Sequence, residues 1–251
     1  MANLLNECLC FKRALKLNMI KENPAKFAEF PMFDDDDLED ELDTVEGMVW
    51  SIEEMNHFLE ISKNERMHDA FYLMLRTGMR RGEVLALNWN NVDLDNKILT
   101  IRRAVRRDEK GRFYIGRTKT RSSNRTISIS ENVIDVSKDI RRNQQEERRI
   151  FGKDYNPENL VITNHIGKRQ DPRNLQRVKD RLVKRHGIRD ITIHGFRHTH
   201  ASLLLEAGII PTRVSKRLGH ANVGITLSRY AHAIPQKEDD TADIFEALTS
   251  V

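Results

Sequence analysis

The sequence runs to 251 residues, 39% hydrophobic and 32% charged, with a formal net charge of +4. That length suits one large domain, or one and a fraction, of ordinary globular composition. No apolar run approaches the roughly eighteen residues that cross a bilayer, and the N-terminus lacks the basic, apolar and small-residue order of a signal peptide. Cys8 and Cys10 are too close on a helix to bridge each other, which suits a reducing compartment, so the expected location is cytoplasmic.

The net charge conceals an asymmetry. Residues 34–46, DDDDLEDELDTVE, contain nine acidic residues and no basic one; outside them 42 basic residues face 29 acidic, a balance of +13. The basic residues gather in IRRAVRRDEKGR, RTKTRSSNR, RRNQQEERR and GKRQDPRNLQRVKDRLVKRHGIR. Any one cluster is most simply a solvated face. Four in one domain point to a polyanion, DNA or RNA gripped through its phosphates.

In chain order, residues 3–20 read as a helix with Leu5, Leu9, Leu15 and Leu17 among its apolar positions, stopped by KENPAKF. The acidic run at 34–46 is too charged to bury and reads as a linker. Order restarts at VWSIEEMNHFLEI, where Ser51 followed three residues later by Glu54 makes a capping box. A second helix through MHDAFYLMLRTG ends near Gly78, and a third, RGEVLALNW, follows. Over 92–130 the period changes: KILTIRRAV puts Leu99, Ile101, Arg103 and Val105 on one face, RTISIS alternates, and DEKGR supplies a turn. This predicts a small antiparallel sheet of about three strands. Helical patterns return at 131–150, 173–186, 196–207, 212–218 and 222–231, and the tail DDTADIFEALTSV reads as a short helix carrying Ala242, Phe245 and Leu248. The expected fold class is α+β, mostly helical, with a three-stranded antiparallel insert.

The segment HGFRHTHASLL, from His194, sets three histidines and an arginine at the mouth of a helix. His194 and His198, at i and i+4, are a chelating pair by spacing, yet HExxH is absent, both cysteines are distant, and Arg197 would set a positive charge beside the metal. A second reading is a charged helix start without function. A third is a phosphate pocket: His194 and Arg197 share a face, and a helix N-terminus adds backbone N–H groups and the positive dipole end. Other stretches supply matching groups. Arg80 in TGMRRGEVLAL sits at a helix junction, where a buried guanidinium needs an anionic partner. Lys119 lies near a hairpin tip in KTRSSNRTISI, and LGHANVGITLSRYAH places His220 ten residues before Tyr230.

These four stretches, in this order and at these separations, resemble the tyrosine recombinases, the phage-integrase family, over roughly residues 48–235. The resemblance implies catalytic roles for Arg80, Lys119, His194, Arg197, His220 and Tyr230. Arg80 and Arg197 would clamp the nonbridging oxygens of a phosphodiester, and Lys119 would protonate the departing 5′ oxygen. His194 would accept the tyrosine proton, His220 would bond the phosphate, and Tyr230 would be the nucleophile. Glu83, at i+3, favours Arg80 over the adjacent Arg81 as the family's first arginine. Tyr72, Tyr114 and Tyr155 lack such framing, and His198 and His200 read as structural.

The reaction so implied passes through a 3′-phosphotyrosyl intermediate on double-stranded DNA and needs no metal, ATP or other cofactor. The implied domains are 1–33, the last helix of a core-binding domain; 34–47, an acidic linker; and 48–251, a catalytic domain whose C-terminal tail mediates self-association on DNA. A complete family member carries a fuller core-binding domain, so a cut or truncated chain is expected. One competing reading keeps the helix-turn-helix look of LLLEAGIIPTRVSKRLGHANVGITLSRY and makes the protein a DNA-binding regulator without catalysis. Another, a metal-dependent nuclease, predicts inactivation by chelator.

Overall fold

A computed structural model describes residues 47–108, 110–118, 123–235 and 241–249, together with Met19. The chain divides into two compact units, 1–33 and 34–251, and all of the described residues but Met19 belong to the second. The leading helix apart from Met19, the acidic run at 34–46, and Lys119 lie outside the described residues.

The ordered chain opens as its capping signal predicts. Ser51 Oγ accepts the Glu54 amide while the Glu54 carboxylate accepts the Ser51 amide, and α1 (Ile52–Ser62) starts there. Helix α2 (His68–Thr77) ends on Gly78 at φ 70°, the left-handed conformation that favours glycine. A side chain is excluded at Gly78 a second way: a Cβ would lie 2.6 Å from the His200 ring.

Helix α3 (Arg81–Leu85) is shorter than RGEVLALNW suggests. Val84, Leu85, Ala86 and Leu87 are all buried, and the chain leaves the helix at Ala86, at φ −100°. There Leu87 accepts from the Val161 amide at 2.8 Å, and the Trp89 amide donates to Asn159 at 2.9 Å.

The strands depart from a single insert in an instructive way. A three-stranded antiparallel sheet, in order β1 (Val92–Asp93), β2 (Ile98–Ile101), β5 (Arg125–Ser128), forms as expected. KILTIRRAV, however, is broken at Arg102: β3 (Arg103–Arg107) leaves that sheet and pairs with β4 (Phe113–Arg117) in a separate two-stranded ribbon. The cause is close packing on α3. The β3 backbone crosses Gly82 so tightly that a Cβ there would meet the Val105 carbonyl at 2.8 Å.

Helices α4 (Glu131–Phe151), α5 (Pro172–His186), α6 (Gly195–Glu206), α7 (Pro211–Leu218), α8 (Val223–Tyr230) and α9 (Thr241–Thr249) follow, each within a few residues of its predicted place. The main core joins α1, α2 and α6 through Trp50, Phe58, Phe71 and Phe196, whose ring centroids lie 4.8–5.8 Å apart in tilted or edge-on contacts. Trp50 is pinned further: its amide donates to Thr199 Oγ1 and its indole Nε1 to the Arg189 carbonyl. A second, smaller cluster gathers Ala201, Leu205, Val214, Leu218, Tyr230 and Ala233 from α6, α7, α8 and the turn after them. Among the described residues, no helix is long and apolar enough to cross a membrane.

Candidate active site

Phe196 in the aromatic core fixes the rotation of α6, so the residues on either side of it turn toward α2, α7 and α8. Arg197 is wholly buried. Its two terminal nitrogens donate to the Gly78 carbonyl at 2.8 Å and the Leu218 carbonyl at 2.7 Å. Those carbonyls lie two residues before Arg80 and two before His220, so one guanidinium ties together the turns that present both.

Arg80 is the N-cap of α3. Its amide donates to Glu83 at 2.9 Å, and its guanidinium reaches the same carboxylate at 3.3 Å. The anionic partner anticipated for this arginine is therefore Glu83, three residues on. Glu83 is buried too, and Arg125 from β5 forks onto both of its oxygens at 2.8 Å each. Burial raises the Glu83 carboxyl pKa, but the charge and hydrogen bonds of Arg125, then the charges of Arg80 and Arg197, outweigh it and bring the group down to about 2.

Arg125 closes the basic stretch RTKTRSSNR, for which a solvated face is the simplest expectation, and the structure differs there. It is buried, and its Nε donates to the Arg217 carbonyl at 2.7 Å. The signal was present in RTIS: strict alternation places Arg125 on the same inward face as Ile127.

The three histidines at the start of α6, counting its N-cap His194, divide their work. His200 is structural, as expected. Its Nδ1 donates to the Leu75 carbonyl and its Nε2 accepts from Arg217, an arrangement that only the neutral ring satisfies. Burial, reinforced by the nearby Arg217 charge, holds its pKa at about 3. His198, also expected to be structural, has its Nδ1 2.7 Å from the Tyr230 hydroxyl, with both residues buried. His194, the residue expected to accept the tyrosine proton, stands behind it, edge-on to the His198 ring at 4.6 Å between centroids.

The α6 N-terminus also differs from a ready anion site. The Gly195 amide donates to Thr192 Oγ1, that of Phe196 to Ile193, and that of Arg197 to His194, so side chains rather than these amides must meet an anion. Among the described residues, no group of three His, Cys, Asp or Glu side chains is placed to hold a metal ion.

His220 follows the left-handed Gly219 that ends α7, and its Nδ1 lies 2.8 Å from the buried Thr226 hydroxyl. It borders an open groove lined also by Thr100, Arg102, Thr126, Thr212 and Lys216. Tyr230, the last residue of α8, is fully buried in the smaller cluster. The remaining tyrosines do other work: Tyr155 donates to Glu147 and lies 3.2 Å from Thr163, Tyr72 packs under Arg76, and Tyr114 is exposed.

Arg80, His194, Arg197, His220 and Tyr230 are thus joined through short connections across α3, α6, α7 and α8. Comparison with known proteins agrees in fold and extent. The chain is 30% identical to a tyrosine recombinase XerC-like protein of Caldanaerobacter subterraneus subsp. tengcongensis, over 95% of this chain and 63% of that one. It is 26% identical to the transposase of transposon Tn916 from Enterococcus faecalis, over 89% of this chain and 57% of the relative. The chain therefore spans about three fifths of the length of these relatives. Among solved structures, the Tn1549 transposon integrase in complex with a circular intermediate DNA superposes with a TM-score of 0.66 at 22% identity, covering 96% of this chain and 76% of that one. The catalytic domain of bacteriophage HP1 integrase gives 0.52 at 19% identity, covering 81% and 98%, and both likenesses concern the fold. The sequence profile of the phage integrase family matches residues 50–237, a span containing all four of the motifs and the whole arginine–histidine–tyrosine assembly, and the chain belongs to that family.

Proposed function

We propose that the chain is the DNA-cleaving and rejoining part of a site-specific recombinase acting on double-stranded DNA. The observation that carries this reading is the buried Tyr230 hydroxyl bonded to His198, on the helix that also bears Arg197. A phenol of pKa about 10 needs a base to become a nucleophile at neutral pH, and an imidazole already on its hydroxyl is suited to start that transfer. Tyr230 Oη attacks phosphorus, the bond to the 5′ oxygen breaks, and the strand is held as a 3′-phosphotyrosine. The phenolic proton passes to the His198 imidazole, against which the His194 ring packs edge-on. Lys119 gives its proton to the departing 5′ oxygen, Arg80 and Arg197 stabilise charge on the nonbridging oxygens, and His220 bonds the phosphate. Return of the 5′ hydroxyl reseals a strand without ATP or metal, because the phosphotyrosyl bond retains the energy of the one it replaced.

In this reading residues 48–251 are the catalytic domain, 34–47 a linker, 1–33 the end of a core-binding domain, and the cytoplasm the place of action. The 241–249 helix leaves Phe245 66% and Leu248 75% exposed, an apolar pair suited to docking on a neighbouring copy bound to DNA.

The test uses a pool of nicked duplexes of randomised sequence, from which cleavage releases a short fragment and so cannot be reversed. Wild type should form an adduct that survives denaturant, in chelator and without nucleotide, with the DNA mapped to Tyr230. Salt-sensitive binding without adduct would overturn catalysis and favour the non-catalytic DNA-binding reading. Loss of cleavage in chelator would favour the nuclease.

A further inference from the structure

Arg197 has no accessible surface, and its Nη2 donates to the Leu218 carbonyl at 2.7 Å, so the last turn of α7 covers it. That turn is held through the residue before Leu218. The Arg217 carbonyl accepts from Arg125 Nε at 2.7 Å. The Arg217 side chain donates from Nε to His200 Nε2 at 2.9 Å, from Nη1 to the Ser128 carbonyl at 3.0 Å, and from Nη2 to the Arg76 carbonyl at 3.5 Å. Thus α2, α6 and β5 all grip one residue of α7. Among the described residues no carboxylate pairs with Arg217, so its hold is a matter of placement, neutral acceptors set around a charge. His200 can be one of them because its Nδ1 carries the proton given to the Leu75 carbonyl, and burial, with the Arg217 charge, keeps the ring neutral. On the far side of Leu218, Gly219 ends the helix at φ 76°, a joint that glycine's backbone freedom suits to turning.

We propose that Arg217 is a latch on the turn that covers Arg197, with His200 as its keeper. Closed, the latch holds the Leu218 carbonyl on the Arg197 guanidinium. Released, the turn swings about Gly219 and presents the Nη2 edge of Arg197 to a phosphate, whose charge-assisted bonds outmatch those of a carbonyl. Arg197 is thereby kept from passing anions until bound DNA competes for it. The catalytic consequence rests on the recombinase reading; the latch itself does not.

His200 is the residue to change, because a buried neutral ring adds no charge to the DNA surface and its loss is not a loss of attraction. Without DNA, His200→Leu should exchange the Gly219 and His220 amides at least about tenfold faster than wild type, while amides of the aromatic core stay protected. Arg197, shielded in wild type, should become open to an arginine-directed dicarbonyl reagent, read by mass spectrometry. In single-turnover cleavage at saturating duplex, the variant should form adduct at least about threefold faster. His200→Gln returns a neutral acceptor to Arg217 and should restore slow exchange, the shielding and the wild-type rate.

Melting curves confirm that each measurement is made on folded protein. If His200→Leu does not fold, Arg217→Lys keeps the charge, loses the guanidinium fork, and should show the same changes to a smaller degree. Unchanged exchange at Gly219 and His220, or an Arg197 still shielded, overturns the latch. Slower cleavage with Arg197 exposed also overturns it, since the link would then support the reactive arrangement instead of restraining it. Faster exchange and an exposed Arg197, in a protein whose wild type forms no adduct, would uphold the latch and sink the recombinase reading.

Discussion

Replacing Glu83 with Gln removes the buried carboxylate that Arg80 and Arg125 share. Lowering its carboxyl from 4.5 to about 2 corresponds to about 3 kcal/mol of folding stability. Removing one partner of a buried pair costs about 3–5 kcal/mol by general experience, because the other charge stays behind unmatched. For a domain of this size each kcal/mol moves the midpoint by about 2–4 °C, so Glu83→Gln should melt about 10 °C below wild type at neutral pH. The sign of the pH effect follows from a folded pKa below the unfolded one. The contribution is complete above pH 4.5 and is lost as pH falls toward about 2, where both states bind the proton. Thermal melts of both proteins across that window should therefore converge as the medium is acidified. A midpoint gap that stays constant down to about pH 3, or a variant melting within about 2 °C of wild type at neutral pH, would refute the assignment of Glu83 as the ionised centre of the cluster.

Tyr230→Phe should abolish the denaturant-resistant adduct and lower stability by about 1–3 kcal/mol, since the ring remains but His198 loses its buried partner; adduct gels and melting curves check both. Arg197→Ala should slow single-turnover cleavage by at least about 10²-fold, and it should also lower the melting midpoint, because the Gly78 and Leu218 carbonyls lose their donor. Lys119→Ala should lose about 10²–10⁴ in rate on ordinary DNA yet recover when sulfur replaces the bridging 5′ oxygen; equal slowness on both substrates would make Lys119 an electrostatic contact only.

What could be read from the sequence was local. Ser51 and Glu54 announce α1, Gly78 ends α2, and Glu83 accompanies Arg80, because each pairing spans three or four residues and is set by helix geometry. Arg125 was legible in principle through the alternation of RTIS, although its basic neighbours masked it. The break at Arg102 was not, since Leu99, Ile101 and Val105 keep a strand's period across it; the break comes from β3 packing on Gly82, a residue about twenty positions earlier. The histidine on Tyr230 was equally hidden. His194 and His198 lie on one face by spacing, and only the approach of α8 decides which ring meets the hydroxyl.

The division of the interior into two apolar clusters bears on how the proposed cleavage would be armed. Neither Tyr230 nor Arg197 has accessible surface, so for the proposed cleavage the arrangement described is a sheathed form, and both α8 and the turn that covers Arg197 would have to open. Because Tyr230 belongs to the cluster of Ala201, Leu205, Val214, Leu218 and Ala233 and not to the aromatic core, that opening can be local. The last turn of α8 and the short 3₁₀ turn Ala231–Ala233 can detach while Trp50, Phe58, Phe71 and Phe196 keep α6 in place. The blade can leave its scabbard without loosening the hilt.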